Sequence, residues 1–309
     1  MNRKKLTEFL DSLEKRGIPA NDCAVYYRHR PVYRHMTGYA DVGRTVPLSE
    51  RNTYWLYSAS KLITCTAMMQ LVEKGAAGLD DPVSDYLPEY GRLSGRTGAG
   101  IEPARHIPTI RHLLSMQSGM NYNLETPSIR NVLRETAGQA ATRQVIRALA
   151  AEPLDFEPGT HFQYSISHDV LGAVIEAVSG QPLGEYLRAH IFRPLGMEDT
   201  GFRMTPERRS RLAAQYLFDE KTRQPSPMTA ENNFVLSPRY ESGGAGLIST
   251  VDDFVTFLDA LCGAGENAAG CRILLPQTID AIRTPQLSAS SQKDFDDSFG
   301  RIGYSYGLG

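Results

Sequence analysis

The run SASKLITCTAMMQLVEKG, residues 58–75, constrains this chain more than any other segment. Its apolar residues Leu62, Ile63, Cys65, Met68, Met69, Leu71 and Val72 wrap most of the way round a helix, so the helix is predicted to be buried. A helix with no solvent face needs other layers packed around it. The 309 residues, 41% hydrophobic and 22% charged, provide the material for such a core and exclude a disordered tail protein. Formal net charge is −2 with Lys and Arg scattered, so no basic face is available for nucleic acid. Small, near-neutral substrates fit better than polyanions.

Around this helix the pattern alternates. Leu6, Phe9, Leu10 and Leu13 give the stripe of a packed N-terminal helix. CAVYYRHR and VYRHMTGYA read as two strands joined at Pro31 in a hairpin. From about 83 to 235 the chain is mostly helical: Gly95 to Gly100 is read as a mobile glycine-rich stretch, IPTIRHLLSM as a short helix, and residues 129–151 as a longer one. HDVLGAVIEAVSG forms a further helix, with Ser167 as N-cap, Asp169 in the first turn and Gly180 as terminator. GGAGLIST reads as a glycine loop with a short strand, residues 251–261 as a helix, and IGYSYGLG as a strand start. These elements predict an α+β fold in two domains: residues 1–57 with 240–309 as a discontinuous sheet domain, incomplete at its C-terminal end, and residues 58–239 as a mainly helical domain. A cleft between them is expected to hold the site.

Several residue types imply nothing beyond structure. Cys23, Cys65, Cys262 and Cys271 form no CxxC pair and read as reduced thiols, while His106, His112, His161 and His168 lack metal-ligand spacing. No metal or cofactor is expected. Gly243-Gly244-Ala245-Gly246 lacks the GK[ST] of a phosphate loop and reads as a tight turn. No GxSxG elbow occurs. The basic N-terminus has no apolar h-region and no later segment is long enough to span a bilayer, so a cytoplasmic protein without membrane or nucleic-acid partners is expected.

The chemistry is concentrated at Ser58 and Lys61. A serine hydroxyl is a poor nucleophile until its proton is removed, and a lysine one turn later shares its helix face. Burial disfavours the ammonium and pushes such a lysine toward a base. A serine at a helix N-terminus also gains a backbone N–H and the positive dipole end for a developing oxyanion. The tetrapeptide alone is weak, since Ser12/Lys15 and Ser290/Lys293 repeat the spacing. Only Ser58 opens a helix apolar enough to bury its lysine. The competing reading is a helix cap with a solvated lysine.

The wider segment TYWLYSASKLITCTAMMQLVEKGAAGLDDPVSDYLPEY resembles the nucleophile region of the β-lactamase-related serine hydrolases, which include class C β-lactamases, DD-peptidases, Ser-x-x-Lys esterases and acyltransferases. IPTIRHLLSMQSGM (107–120), FEPGTHFQYS (156–165), DVLGAVIEAVSG (169–180) and SGGAGLISTVDDF (242–254) follow in the family's order. The resemblance implies a β-lactamase/transpeptidase-like fold, with an antiparallel sheet flanked by helices. It also implies Ser58, Lys61 and Tyr164 as catalytic residues, with Tyr164 sharing the proton traffic of the lysine.

Two departures shape the expected activity. Ile166 stands where the family's Tyr-x-Asn motif has an amide, which weakens an antibiotic-hydrolase reading and favours ester substrates; Ser165 or Ser167 is left as a partial substitute. The family's third motif, Lys-Thr-Gly or His-x-Gly on a central strand, finds no match. That strand supplies the second oxyanion donor, so the chain is expected to need a missing C-terminal segment and to be catalytically impaired. The leading expectation is an acyl-enzyme hydrolase of small esters. The alternatives are a D-amino-acid peptidase, amidase or weak β-lactamase, and a non-catalytic binding protein.

Overall fold

The computed structural model describes residues 2–300 and 304–306. In chain order the elements are α1 (Arg3–Ser12), β1 (Ala20–Tyr27), β2 (Arg30–Gly38), β3 (Tyr54–Trp55), α2 (Ser60–Glu73), β4 (Ser94–Thr97), β5 (Gly100–Pro103), α3 (Ile110–Leu114), α4 (Pro127–Glu135), α5 (Thr142–Leu149) and α6 (Ser167–Ser179). They continue with α7 (Leu183–Leu187), α8 (Arg193–Leu195), α9 (Pro206–Arg211), β6 (Tyr216–Asp219), β7 (Gln224–Pro227), β8 (Ile248–Ser249), α10 (Val251–Cys262), α11 (Pro276–Arg283) and α12 (Ala289–Phe299). The fold is α+β, and its strands pair antiparallel as β1–β2, β3–β8, β4–β5 and β6–β7. Among the described residues no helix is long and apolar enough to cross a membrane.

The chain forms two compact units. One comprises residues 1–56, 192–233 and 248–272. Its β1–β2 hairpin turns at Arg28 and His29, whose φ values of 51° and 62° suit a tight turn with the twist of the strands. Pro31 therefore lies inside β2 rather than at the turn. It pairs with Tyr26, where the register shifts and a ladder N–H is not needed. α10 packs on β1 and α1 on β2. In α1, Leu10 is buried, but Phe9 of the expected stripe is exposed, with the Arg16 guanidinium 5.2 Å above its ring.

The other unit comprises residues 57–191, 234–247 and 273–309. α2 is at its centre, against α6 and α7, and every residue from Ser60 to Leu71 is buried. The buried Gln70 Nε2 donates to the His190 and Ile273 carbonyls, while its Oε1 has no hydrogen-bond partner among the described residues. Two expectations fail locally. The helix predicted over 129–151 is split into α4 and α5, because Ala137 and Gly138 turn the chain at φ 49° and 75°. The stretch read as mobile, 95–100, forms the β4–β5 hairpin. The strand expected over IGYSYGLG falls largely outside the described residues.

Candidate active site

Every side chain of the site belongs to the second unit. Residues 57–59 form a single 3₁₀ turn that leads into α2, so Ser58 lies just before the α-helix instead of capping it. Ser58 is exposed, whereas Lys61 on the first turn of α2 is only 2% exposed. The reading of a cap with a solvated lysine does not fit this burial. Tyr57, immediately before the serine, adopts φ 44°, a left-handed conformation that costs a bulky residue about 1–3 kcal/mol. Its ring meets Phe234 edge-on, with centroids 6.1 Å apart.

The Lys61 amine is held among polar groups. Nζ lies 3.4 Å from Ser58 Oγ, 3.3 Å from the Tyr122 hydroxyl and 2.7 Å from the Gly244 carbonyl oxygen. It also stands over the faces of Tyr164 and Tyr122, 4.7 and 5.2 Å from the ring centroids. These two rings stack with centroids 5.9 Å apart. Tyr164 thus reaches the amine with its ring face, and the hydroxyl on the amine belongs to Tyr122. Burial raises the Tyr122 pKa far above the usual phenol range, with Asp169 and Tyr164 adding to the rise, so it remains a neutral phenol.

The two tyrosines are held by their backbones and by packing. The Gln163 N–H donates to the Met116 carbonyl and the Ile166 N–H to the Asn121 carbonyl, tying the Tyr164 segment to the Tyr122 segment. Tyr164 also packs against the cluster of Met116, Phe162, Phe295 and Tyr304, and against Phe299 of α12. Ile166 is buried, and the serines beside it do not take the place of an amide. Ser165 and Ser167 bond to each other at 2.7 Å, and Ser167 bonds to Ser118 at the same distance, all out of solvent. Ser165 also accepts the Ser167 N–H, so Ser167 is the first helical residue and the cap lies before it.

The glycine turn at 243–245 completes the site. Thr64 Oγ1 of α2 donates to the Gly243 carbonyl, and the Leu247 N–H donates to Ser60 Oγ. A Cβ on Gly243 would stand 2.6 Å from the His168 carbonyl oxygen, so the close approach of the turn to α6 requires glycine. The other two Ser-x-x-Lys matches carry no comparable setting: Lys15 is exposed, and Lys293 is exposed and paired with Asp297 at 2.6 Å. Among the described residues no group of three or more His, Cys, Asp or Glu side chains is placed to hold a metal.

Beneath Lys61, one turn on, Cys65 Sγ lies 3.0 Å from His168 Nε2, and both residues are fully buried. Burial, with the nearby Lys61 charge, pulls the His168 pKa well below its usual 6.5. The unfolded chain therefore binds a proton that the folded chain refuses, so the stability contributed is complete above about pH 6.5 and is lost as pH falls. His168→Gln is expected to reduce the stability lost between about pH 7.5 and pH 5.5 by about 1.4 kcal/mol in total, measured by denaturant unfolding at those two values. Equal slopes in both proteins would refute this account.

The family model described as Beta-lactamase matches residues 3–309. The chain belongs to the beta-lactamase family. Within that family it is similar to esterase EstB of Burkholderia gladioli, with 33% identity over 306 residues covering 87% of this chain and 71% of the relative. Lovastatin esterase of Penicillium rubens is 32% identical over 77% of this chain and 63% of its own length. Among solved structures, that of EstCE1, a hydrolase with promiscuous acyltransferase activity, superposes with a TM-score of 0.77 at 28% identity, covering 98% of this beta-lactamase-family chain and 81% of EstCE1.

Proposed function

We propose that this chain is a serine hydrolase that cleaves small esters through an acyl-enzyme on Ser58. The single observation that carries the reading is the pairing of an exposed Ser58 hydroxyl with a buried Lys61 amine 3.4 Å away. As Ser58 Oγ bonds to the ester carbonyl carbon, its proton passes to Lys61 Nζ and the carbonyl π pair moves onto oxygen. The resulting ammonium is stabilised by the Gly244 carbonyl, the Tyr122 hydroxyl oxygen and the faces of two tyrosine rings. When the tetrahedral intermediate collapses, the C–O bond to the alkoxy group breaks. The leaving oxygen takes that proton, with the Tyr122 phenol, whose hydroxyl lies 3.3 Å from the amine, as its relay. Water then attacks the acyl carbon, gives its proton to Lys61, and Ser58 leaves with a proton restored.

Ester substrates are favoured over peptides and β-lactams because Ile166 offers no amide and the serines beside it are turned into the core. The esterase names among the family relatives point the same way. Incubation with a fluorophosphonate probe, read by intact mass, is expected to add one phosphonyl group, mapping to Ser58. p-Nitrophenyl acetate is expected to turn over and a D-Ala-D-Ala peptide to remain intact. An unlabelled protein would leave the non-catalytic binding reading.

A further inference from the structure

The acyl-transfer steps make no use of Asp169, a carboxylate only 2% exposed on the first turn of α6. Its Oδ1 accepts the Tyr240 hydroxyl at 2.9 Å, and the Ser242 hydroxyl and Gly244 N–H also bond to it. All three donors come from residues 240–244. Gly244 therefore binds the carboxylate through its N–H and the Lys61 amine through its carbonyl. No other residue fits there, since a Cβ would overlap the Asp169 carboxylate and stand 3.0 Å from the Tyr122 hydroxyl.

We propose that Asp169 is a positioning residue for Lys61, which through Gly244 fixes where the amine stands relative to Ser58. The inference rests on the acyl-transfer roles proposed for those two residues. Asp169 also sets a negative charge toward the ammonium that forms when Ser58 attacks, and the α6 N-terminus favours that charge. The titratable groups around it are Lys61 on α2, Tyr122 on the loop after α3, Tyr240 on the glycine segment and the uncharged His168 beside it on α6. Burial raises its pKa above the ordinary carboxylate range, against the pull of Ser242, the Lys61 charge, Tyr240 and the Gly244 N–H. Protonating Asp169 weakens the grip on Gly244, so an acid limb in kcat/KM follows from the same arrangement.

Asp169→Asn keeps the side-chain size but presents an NH₂ group to a site built from donors. It is expected to lower kcat per folded molecule by about 10²-fold with KM changed by less than about twofold, alongside a lowered unfolding temperature from the buried donors it leaves unsatisfied. Tyr240→Phe removes one bond to the charged form, so the acid limb of kcat/KM is expected to move to higher pH. A residue that merely holds the fold would lower the unfolding temperature yet leave kcat per folded molecule and the acid limb unchanged, and that result overturns the proposal. If Asp169→Asn does not fold, Tyr240→Phe decides. Crystal structures of the variants give a readout independent of activity. The Lys61–Gly244 contact is expected to lengthen or break in Asp169→Asn, and an unmoved lysine and turn overturn the proposal. Should the wild-type protein take up no fluorophosphonate at Ser58, it is the acyl-transfer reading that fails, and the crystallographic comparison alone judges Asp169.

Discussion

Ser58→Ala is expected to reduce p-nitrophenyl ester turnover by about 10⁴- to 10⁶-fold, to the background of the uncatalysed reaction plus whatever binding alone contributes. The size of the effect follows from what the serine supplies. Without Oγ no acyl-enzyme forms, and water would have to attack directly from a position the protein has not prepared. Because Ser58 is exposed on a 3₁₀ turn, loss of its hydroxyl removes no buried packing. The unfolding temperature should therefore stay within the small range of surface substitutions. Stopped-flow or end-point assays with a fluorophosphonate mass check measure both halves. Retained turnover in a variant that takes up no probe would refute the assignment of Ser58 as nucleophile.

Lys61→Met is expected to lower kcat and kcat/KM together by about 10²- to 10⁴-fold, the range for losing a positioned general base. Methionine approximates the length and flexibility of the stem, so α2 keeps its packing around residue 61. What disappears is the acceptor for the Ser58 proton and the donor to the Gly244 carbonyl. The buried carbonyl is left unsatisfied, which costs about 1–3 kcal/mol of stability and makes the unfolding temperature a necessary companion measurement. A folded variant with unchanged kcat would show that the proton leaves Ser58 by another route. Lys61→Arg is no substitute control, because a guanidinium stays protonated and cannot act as base.

Much of this site is legible in the sequence because it sits on a helix with an unusual pattern. Apolar residues on every side of residues 62–72 announce burial of Lys61, and local spacing alone then sets Ser58 beside it. Tyr164 is reached through family resemblance, and the structure brings its ring to the amine. Tyr122 escapes for a physical reason. It lies 61 residues from Lys61, in a loop where no periodicity marks the direction of its side chain, just past Met120, where the family-like segment ends. Asp169 reads only as an acid favoured by the helix dipole, since its partners Tyr240 and Gly244 are distant in the chain. The turn residues mislead in both directions. Pro31 draws the expected hairpin turn away from Arg28 and His29, which carry no turn signature. Gly138 does mark the break between α4 and α5, although the predicted helix runs straight across it.

The left-handed backbone of Tyr57 has a consequence for how such a protein can change over time. A glycine there would release the conformational cost of the folded turn, about 1–3 kcal/mol, while adding freedom to the unfolded chain. It would also remove the ring that rests on Phe234 and free the turn that presents the neighbouring hydroxyl. Residue 57 is thus a point where selection for robustness and selection for turnover pull in opposite directions.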